Sequence, residues 1–417
     1  MSMASDRNLT AAELRADELL LVPERLMLRD GSVADHAVLV RHGRFDDVGP
    51  AAPLIERHPH LTPRRLPGRL VMPGFIDAHH HLTQSFGKSL AAGEPSEIFR
   101  RIWVPLEASM NDELVYKASK VAALESLRGG FTTVVDAGTR ATGDIEAITR
   151  ATREAGLRCV LGLICNDGGN TSEAAARHDI LQRARQFIAR WQADALVHPS
   201  LAISVPEAAS DAMLVAVSKL CAEAGIVFQS HVNEHLAAIE RSLVQRGRRP
   251  LELLDDLGAL GPQLLIAHAT MVTPHELRLL RETDTAVSYN PVASQWKGNA
   301  VLNAVLLHAQ GVPFALGTDG TRYDGFRLMD AAEATQRLTH GLATGDSSCG
   351  GGWMWLDHAT HQGAQAVGLS ASTGAIAHPP TRRSITIRAR AAARATPVET
   401  APTRNSYATS ERQGRQA

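Results

Sequence analysis

Two hydrophobic periods divide this chain. Up to residue 69, short β-type runs, Glu18 to Val22 and Ala37 to Arg44, are broken by Asp-Gly and Gly-Pro turns and predict one part of a small β-sandwich domain. From residue 70 the pattern changes, and short apolar runs alternate with longer helix-compatible stretches. The expected strands are Leu70 to Ile76, Thr132 to Asp136, Arg158 to Ile164, Val197 to Ser204, Ile226 to His231, Leu264 to His268, Thr285 to Ser288 and Pro313 to Thr318. Most are followed by a helical segment such as Asn111 to Leu127, Ala175 to Ala193 or Asp211 to Ala224. That order predicts an α/β fold, a parallel (β/α)8 TIM-type barrel over residues 70–368. Residues 369–417 form an atypical tail. Its last forty positions hold eight Arg, two Glu and no Leu or Phe, too little apolar surface to offset the entropy of ordering, so the tail is expected to be largely disordered.

In such a barrel chemistry sits at the C-terminal ends of the strands. The polar residues of this chain cluster there: His79 and His81, Asp136, Cys165-Asn166-Asp167, His231, His268 and Asp319. Residues two apart on a strand project to one side, so His79 and His81 face a common point while His80 faces away. Two neutral imidazoles at a strand end make half of a metal site. His58-Pro59-His60 has the same spacing but no strand before it, and is expected to be a polar loop. His231 ends the fifth strand and Glu234 follows one turn later; the bland alternative is a buried histidine beside a surface glutamate. His268 closes an apolar run, where an ionisable group is costly unless used or paired. Asp319 follows the eighth strand as an oxygen ligand, or caps the next helix.

Together these residues describe a hydrolytic site. A divalent ion held by His79, His81, His231 and Asp319 would activate water, with Glu234 moving the proton and His268 polarising the electrophilic carbon. The fourth strand carries no Lys that could be carboxylated into a bridging ligand, which favours one metal over two.

Composition narrows the picture without changing it. Forty-three basic against 44 acidic side chains leave a formal charge of −1, so no global field suggests nucleic acid or an acidic membrane as partner. The four cysteines form no CxxC pair and suit a reducing cytoplasm, and no apolar run approaches spanning length.

Pro-Gly-Phe-Ile-Asp-Ala-His-x-His, His-x-x-Glu, an isolated strand-end His and Gly-Thr-Asp occur here in the order and approximate spacing of the amidohydrolase superfamily. Over about residues 15–376 the chain resembles its cytosine deaminase, guanine deaminase and triazine hydrolase branch. The resemblance implies a barrel carrying a β-sandwich built from both chain ends, one zinc or iron ion, and a homodimer or larger assembly. It implies hydrolytic deamination of an amino-substituted N-heterocycle of purine, pterin, pyrimidine or triazine type. It assigns metal ligation to His79, His81, His231 and Asp319, and proton transfer to Glu234 and His268, with Asp319 also in the catalytic set. Gln84 matches a glutamine that contacts the ring in purine-directed members.

Other strand-end loop residues, Asn166, Asn233, Gln295, Trp296 and Arg322, are expected to contact a flat polar ring. Phe99 and Trp103 suit a lid, a dimer contact or helical core packing. His80 and His235 read as structural or supporting, and His358 and His361 as part of a late surface helix. Beyond Ala377 the chain departs from the family, which predicts a small domain without its closing strands, Ser384 to Arg388 offering one short substitute. Other leaving groups, as in a chlorohydrolase, and a non-catalytic derivative are the competing functional readings.

Overall fold

The computed structural model describes residues 9–10, 12–94, 98–168 and 174–377. The expectations for Ser384 to Arg388 and the Arg-rich tail lie outside the described residues. Five strands make a first sheet: β1 (Glu18–Leu28), β2 (Gly31–Ala34), β3 (His36–Arg41), β4 (Arg44–Pro50) and β5 (Arg64–Val71), in the order β2-β1-β3-β4 with β5 parallel to β1. Alternation along β1 and β3 sends Leu21, Leu26 and Val38 to one face and Leu20, Leu39 and Leu54 of a neighbouring short helix to the other. Ile376 joins the first face, so the end of the described chain packs beside its beginning.

The strand expected over Leu70 to Ile76 is in fact two elements. Met72-Pro73-Gly74 breaks it, β5 stays with the small sheet, and the barrel begins at β6 (Phe75–His80). Proline removes a ladder donor and glycine weakens a strand, so the apolar run could not continue as one. Seven more parallel strands follow: β7 (Phe131–Asp136), β8 (Arg158–Ile164), β9 (Val197–Ala202), β10 (Phe228–Val232), β11 (Leu264–His268), β12 (Ala286–Tyr289) and β13 (Phe314–Leu316), paired in sequence order. This is the (β/α)8 barrel that the alternation predicts.

The intervening helices include α1 (Asp112–Arg128), α2 (Glu146–Ala155), α3 (Ala174–Trp191), α4 (Asp211–Ala224), α5 (Leu236–Arg246), α6 (Pro274–Glu282), α7 (Pro291–Lys297), α8 (Ala304–Gln310), α9 (Gly325–Gln336) and α10 (Gly351–Ala359). Their starts are chemically marked. Asn111 accepts from Leu114 N at 3.0 Å, the Ser210 side chain caps α4, and Thr273 with Glu276 forms a capping box on α6.

The seam between the first and last strands is closed by Asp77 on β6. Its Oδ1 accepts from Thr318 N at 2.8 Å and its Oδ2 from Thr318 Oγ1 at 2.5 Å, while Asp319 N donates to His79 O at 2.8 Å. Burial pushes the Asp77 carboxyl up to about 7, against the pull of the Thr318 hydrogen bonds. Closure therefore fixes the position of Asp319 relative to His79.

Candidate metal and catalytic site

His79 is the next-to-last residue of β6 and His81 follows the strand, both projecting into the barrel mouth, whereas His80 is fully buried on the other side, its ring 5.0 Å from that of Tyr323. The pleat decides this split, as the spacing predicts. His231 on β10 brings its ring within 4.7 Å of His79, and His268 at the end of β11 lies 5.3 Å from His79. Asp319 Oδ1 stands 3.3 Å from His79 Nε2 and 3.4 Å from His81 Nε2, and His81 Nε2 is 3.4 Å from His231 Nε2. By contrast, His58 and His60 each approach a different carboxylate of the small sheet, Asp47 and Glu18.

Four residues at these strand ends are held in the left-handed region although none is glycine: Asn233 (φ 53°), His268 (φ 76°), Ala269 (φ 47°) and Asp319 (φ 54°). Each such conformation costs about 1–3 kcal/mol and persists only where the surroundings over-determine it. Gly317 shows how tight the packing is. A Cβ there would overlap Asn290 Oδ1 and Ser288 Oγ and crowd His79.

Hydrogen bonds sort the imidazoles. His231 Nδ1 lies 2.8 Å from Ser204 O, a carbonyl that can only accept, so the proton sits on Nδ1 and Nε2 carries a lone pair towards His79 and His81. His268 has the reverse arrangement. Ser288 Oγ donates to Asn290 Oδ1 at 2.8 Å, which turns the amide Nδ2 to His268 Nδ1 at 3.1 Å, so the ring proton is on Nε2. That Nε2–H points to Glu234 Oε1 at 3.6 Å and Asp319 Oδ2 at 4.0 Å.

Burial lowers His81 and His268 well below the ordinary imidazole range and His231 to about 4, so all three are neutral near pH 7. Although burial opposes the charges of Asp319 and Glu234, the Lys297 ammonium, 2.7 Å from an oxygen of each, holds both carboxyls well below the usual range. Buried His79 Nε2 and His268 Nε2 have no hydrogen-bond partner, and imidazole nitrogens grouped about a carboxylate oxygen are the kind of donor set a divalent ion takes. Two overlapping triads, His79/His81/Asp319 and His79/His231/His268, have their atoms within 4.8 Å of one another. The tautomers make His231 the better ligand and leave His268 as a hydrogen-bond donor.

Above these residues opens a cavity of about 1050 Å³. Gln84, Asn233, Gln295, Trp296 and Arg322 line it, as does Trp103; Asn166 does not. Asn166 is engaged with Ser204 in both directions, at 2.9 and 3.0 Å. Asp136 is likewise structural, accepting from Leu82 N at 2.7 Å and Gly138 N at 2.9 Å. His358, expected on a surface helix, is buried: it stacks on Phe314 at 3.5 Å.

Two site residues escaped the sequence reading. Lys297, the last residue of α7, places Nζ 2.7 Å from both Glu234 Oε1 and Asp319 Oδ2. It follows the expected contacts Gln295 and Trp296, and a lone lysine after a tryptophan gives no sign of burial. Arg140 lies over Phe99, 4.4 Å from the ring centroid, paired at 3.0 Å with the fully buried Glu107, whose other oxygen receives Thr83 and Gln84. A buried carboxylate inside a short helix looks like any helical glutamate in sequence.

A family model described as "Amidohydrolase family" matches residues 70–378. Among curated proteins, the 5-methylthioadenosine/S-adenosylhomocysteine deaminase of Syntrophobacter fumaroxidans is 29% identical over 367 residues, covering 86% of this chain and 82% of its own. Among solved structures, a zinc-bound adenosine deaminase from Xanthomonas campestris aligns with a TM-score of 0.76 at 24% identity, over 86% of this chain and 82% of that one. A guanine deaminase from C. acetobutylicum with bound guanine aligns with a TM-score of 0.75 at 18% identity, over 86% and 88%. These structural likenesses are likenesses of fold.

Proposed function

The chain belongs to the amidohydrolase family, and from that premise we propose that it is a metal-dependent aminohydrolase that replaces an exocyclic amine on a nitrogen heterocycle by oxygen, releasing ammonia. The observation that carries this reading is the meeting of His79, His81, His231 and Asp319 around one point with Glu234 and His268 beside it. Curated relatives that are deaminases of adenosine derivatives support it.

In this reading His79, His81, His231 and Asp319 would hold one divalent ion, taken as zinc, which would supply Lewis-acid activation of water. Glu234, ionised and facing the cavity, takes a proton from the attacking water and delivers it to nitrogen. The water's second proton follows, the C–N bond breaks, and ammonia leaves a carbonyl on the ring. His268 donates its Nε2–H where negative charge develops. His231 is kept in the ligating tautomer by Ser204 O. Gln84, Asn233, Gln295, Trp296 and Arg322 form the wall that orients the ring. The reading includes a cytoplasmic homodimer or larger assembly, which the mass of the purified protein in solution checks.

The test is metal analysis of purified protein followed by an ammonia-release screen over aminated purines, their nucleosides, pterins, pyrimidines and triazines. Bound metal with ammonia from one ring class is the expected result. Bound metal without ammonia from any ring would point to another leaving group.

A further inference from the structure

Glu234 is gripped at one oxygen. Its Oε1 lies 2.7 Å from Lys297 Nζ and 3.0 Å from His235 Nε2, and among the described residues no hydrogen bond reaches Oε2. The orientation of the His235 ring is set by Asn299, whose Nδ2 is 3.3 Å from His235 Nδ1 and 3.5 Å from the main-chain oxygen of Glu234. A carbonyl oxygen only accepts, so the amide must present its N–H₂ to this side. The N–H that then faces Nδ1 requires a lone pair there, which places the ring proton on Nε2. The protonated Nε2 of His235 is therefore the nitrogen that stands 3.0 Å from Glu234 Oε1.

The surrounding turn is built to hold this pair. Asn233 adopts its left-handed conformation immediately before Glu234, and Thr270 Oγ1 lies 3.1 Å from Asn233 O and 2.8 Å from Glu234 O. Asn233 Nδ2 is itself tied to the buried Glu276 at 2.8 Å. His235 occupies the N-cap position of α5 but its side chain makes no cap hydrogen bond, so the ring is free to reach back to the carboxylate.

We propose that His235 is a positioning residue for Glu234. With Lys297 it fixes Oε1 as the anchored oxygen, so that Oε2 is the oxygen that takes and returns the proton. Without the imidazole, Glu234 keeps one donor and turns about that single contact. The inference rests on the deaminase reading above.

The test compares His235→Leu, His235→Gln and wild type, each metal-loaded and checked for folding by circular dichroism, on the substrate the ammonia screen identifies. His235→Leu is expected to lose about ten- to a hundredfold in kcat, the cost of a misplaced catalytic group, with KM and metal content unchanged. His235→Gln, which keeps an N–H donor at similar reach, is expected to stay within about threefold of wild type. An unchanged kcat in His235→Leu would overturn the proposal. So would a raised KM at constant kcat, the mark of a substrate contact, or a loss of bound metal. A His235→Gln as slow as His235→Leu would show that the ring itself is needed. Wild type without ammonia release defeats the deaminase reading and this role with it, whereas active wild type with active His235→Leu defeats the role alone.

Discussion

The chain buries two groups of histidines that differ in what their nitrogens meet. At the barrel mouth, His79, His231 and His268 converge from different strands, and the inward Nε2 atoms of His79 and His268 find no hydrogen bond. On the outer side of the barrel, His358 on α10 is as deeply buried, yet both its nitrogens are engaged, Nδ1 with Phe314 O at 2.8 Å and Nε2 with His308 at 3.0 Å. A buried polar atom without a partner costs free energy that folding alone gives no reason to tolerate. His80, turned away from the mouth, also has both ring nitrogens unpaired, so what marks the first group for binding is that its nitrogens meet one another and the Asp319 carboxylate at one point, whereas His358 is arranged for packing.

The sharpest break of that comparison is removal of the proton carrier. Glu234→Gln should retain metal and lose turnover by about 10²–10⁴-fold; near-wild-type rates in an ammonia-release assay would take Glu234 out of the proton path. Next comes a ligand. His231→Ala should lose metal and activity together, and an unchanged metal stoichiometry by atomic absorption would remove His231 from the ligand set.

Lys297→Met is smaller and acts on stability. It strips the shared cation from two buried carboxylates, so chelator-treated protein should lose about 3 kcal/mol in denaturant melts. Equal midpoints for variant and wild type would refute the pairing.

The packing histidine should behave differently. His358→Gln should leave metal content and turnover intact, and its effect should appear as a change in pH dependence. Burial, partly offset by the Phe314 hydrogen bond, holds His358 at about 4, below its unfolded value of about 6.5. Between these values the unfolded chain binds the extra proton, so the stability this residue contributes is present above about pH 6.5 and lost as the pH falls towards 4. The loss is at most about 3 kcal/mol. Thermal melts from pH 7 to pH 4.5 should fall more steeply for wild type than for the variant, and parallel curves would show that His358 does not titrate in this way.

Much of the site was legible because strand-end chemistry leaves marks in order. His79 and His81 are spaced by the pleat, His231 and Glu234 by one turn, and His268 and Asp319 each close an apolar run. Other features carried no such mark. The break at Met72 to Gly74 lay inside one apolar stretch, and the burial of His358 depends on α10 folding over β13. Asn166 sits on a strand-end loop like the cavity-lining residues, but Ser204, two residues past the end of β9, claims it.

The sequence by itself determined the alternation of strand and helix, hence the barrel, and the residue types that stand at its mouth. Those follow from periodicity and from the few side chains able to bind a metal or move a proton. Only the tertiary structure decided which nitrogen of each imidazole faces inward, because the deciding partners, Ser204 O for His231 and Asn290 for His268, lie 27 and 22 residues away in the chain. The same holds for Lys297, which reaches Glu234 across 63 residues and Asp319 across 22. Tautomer and charge pairing are properties of neighbours in space, and barrel closure is what makes these residues neighbours.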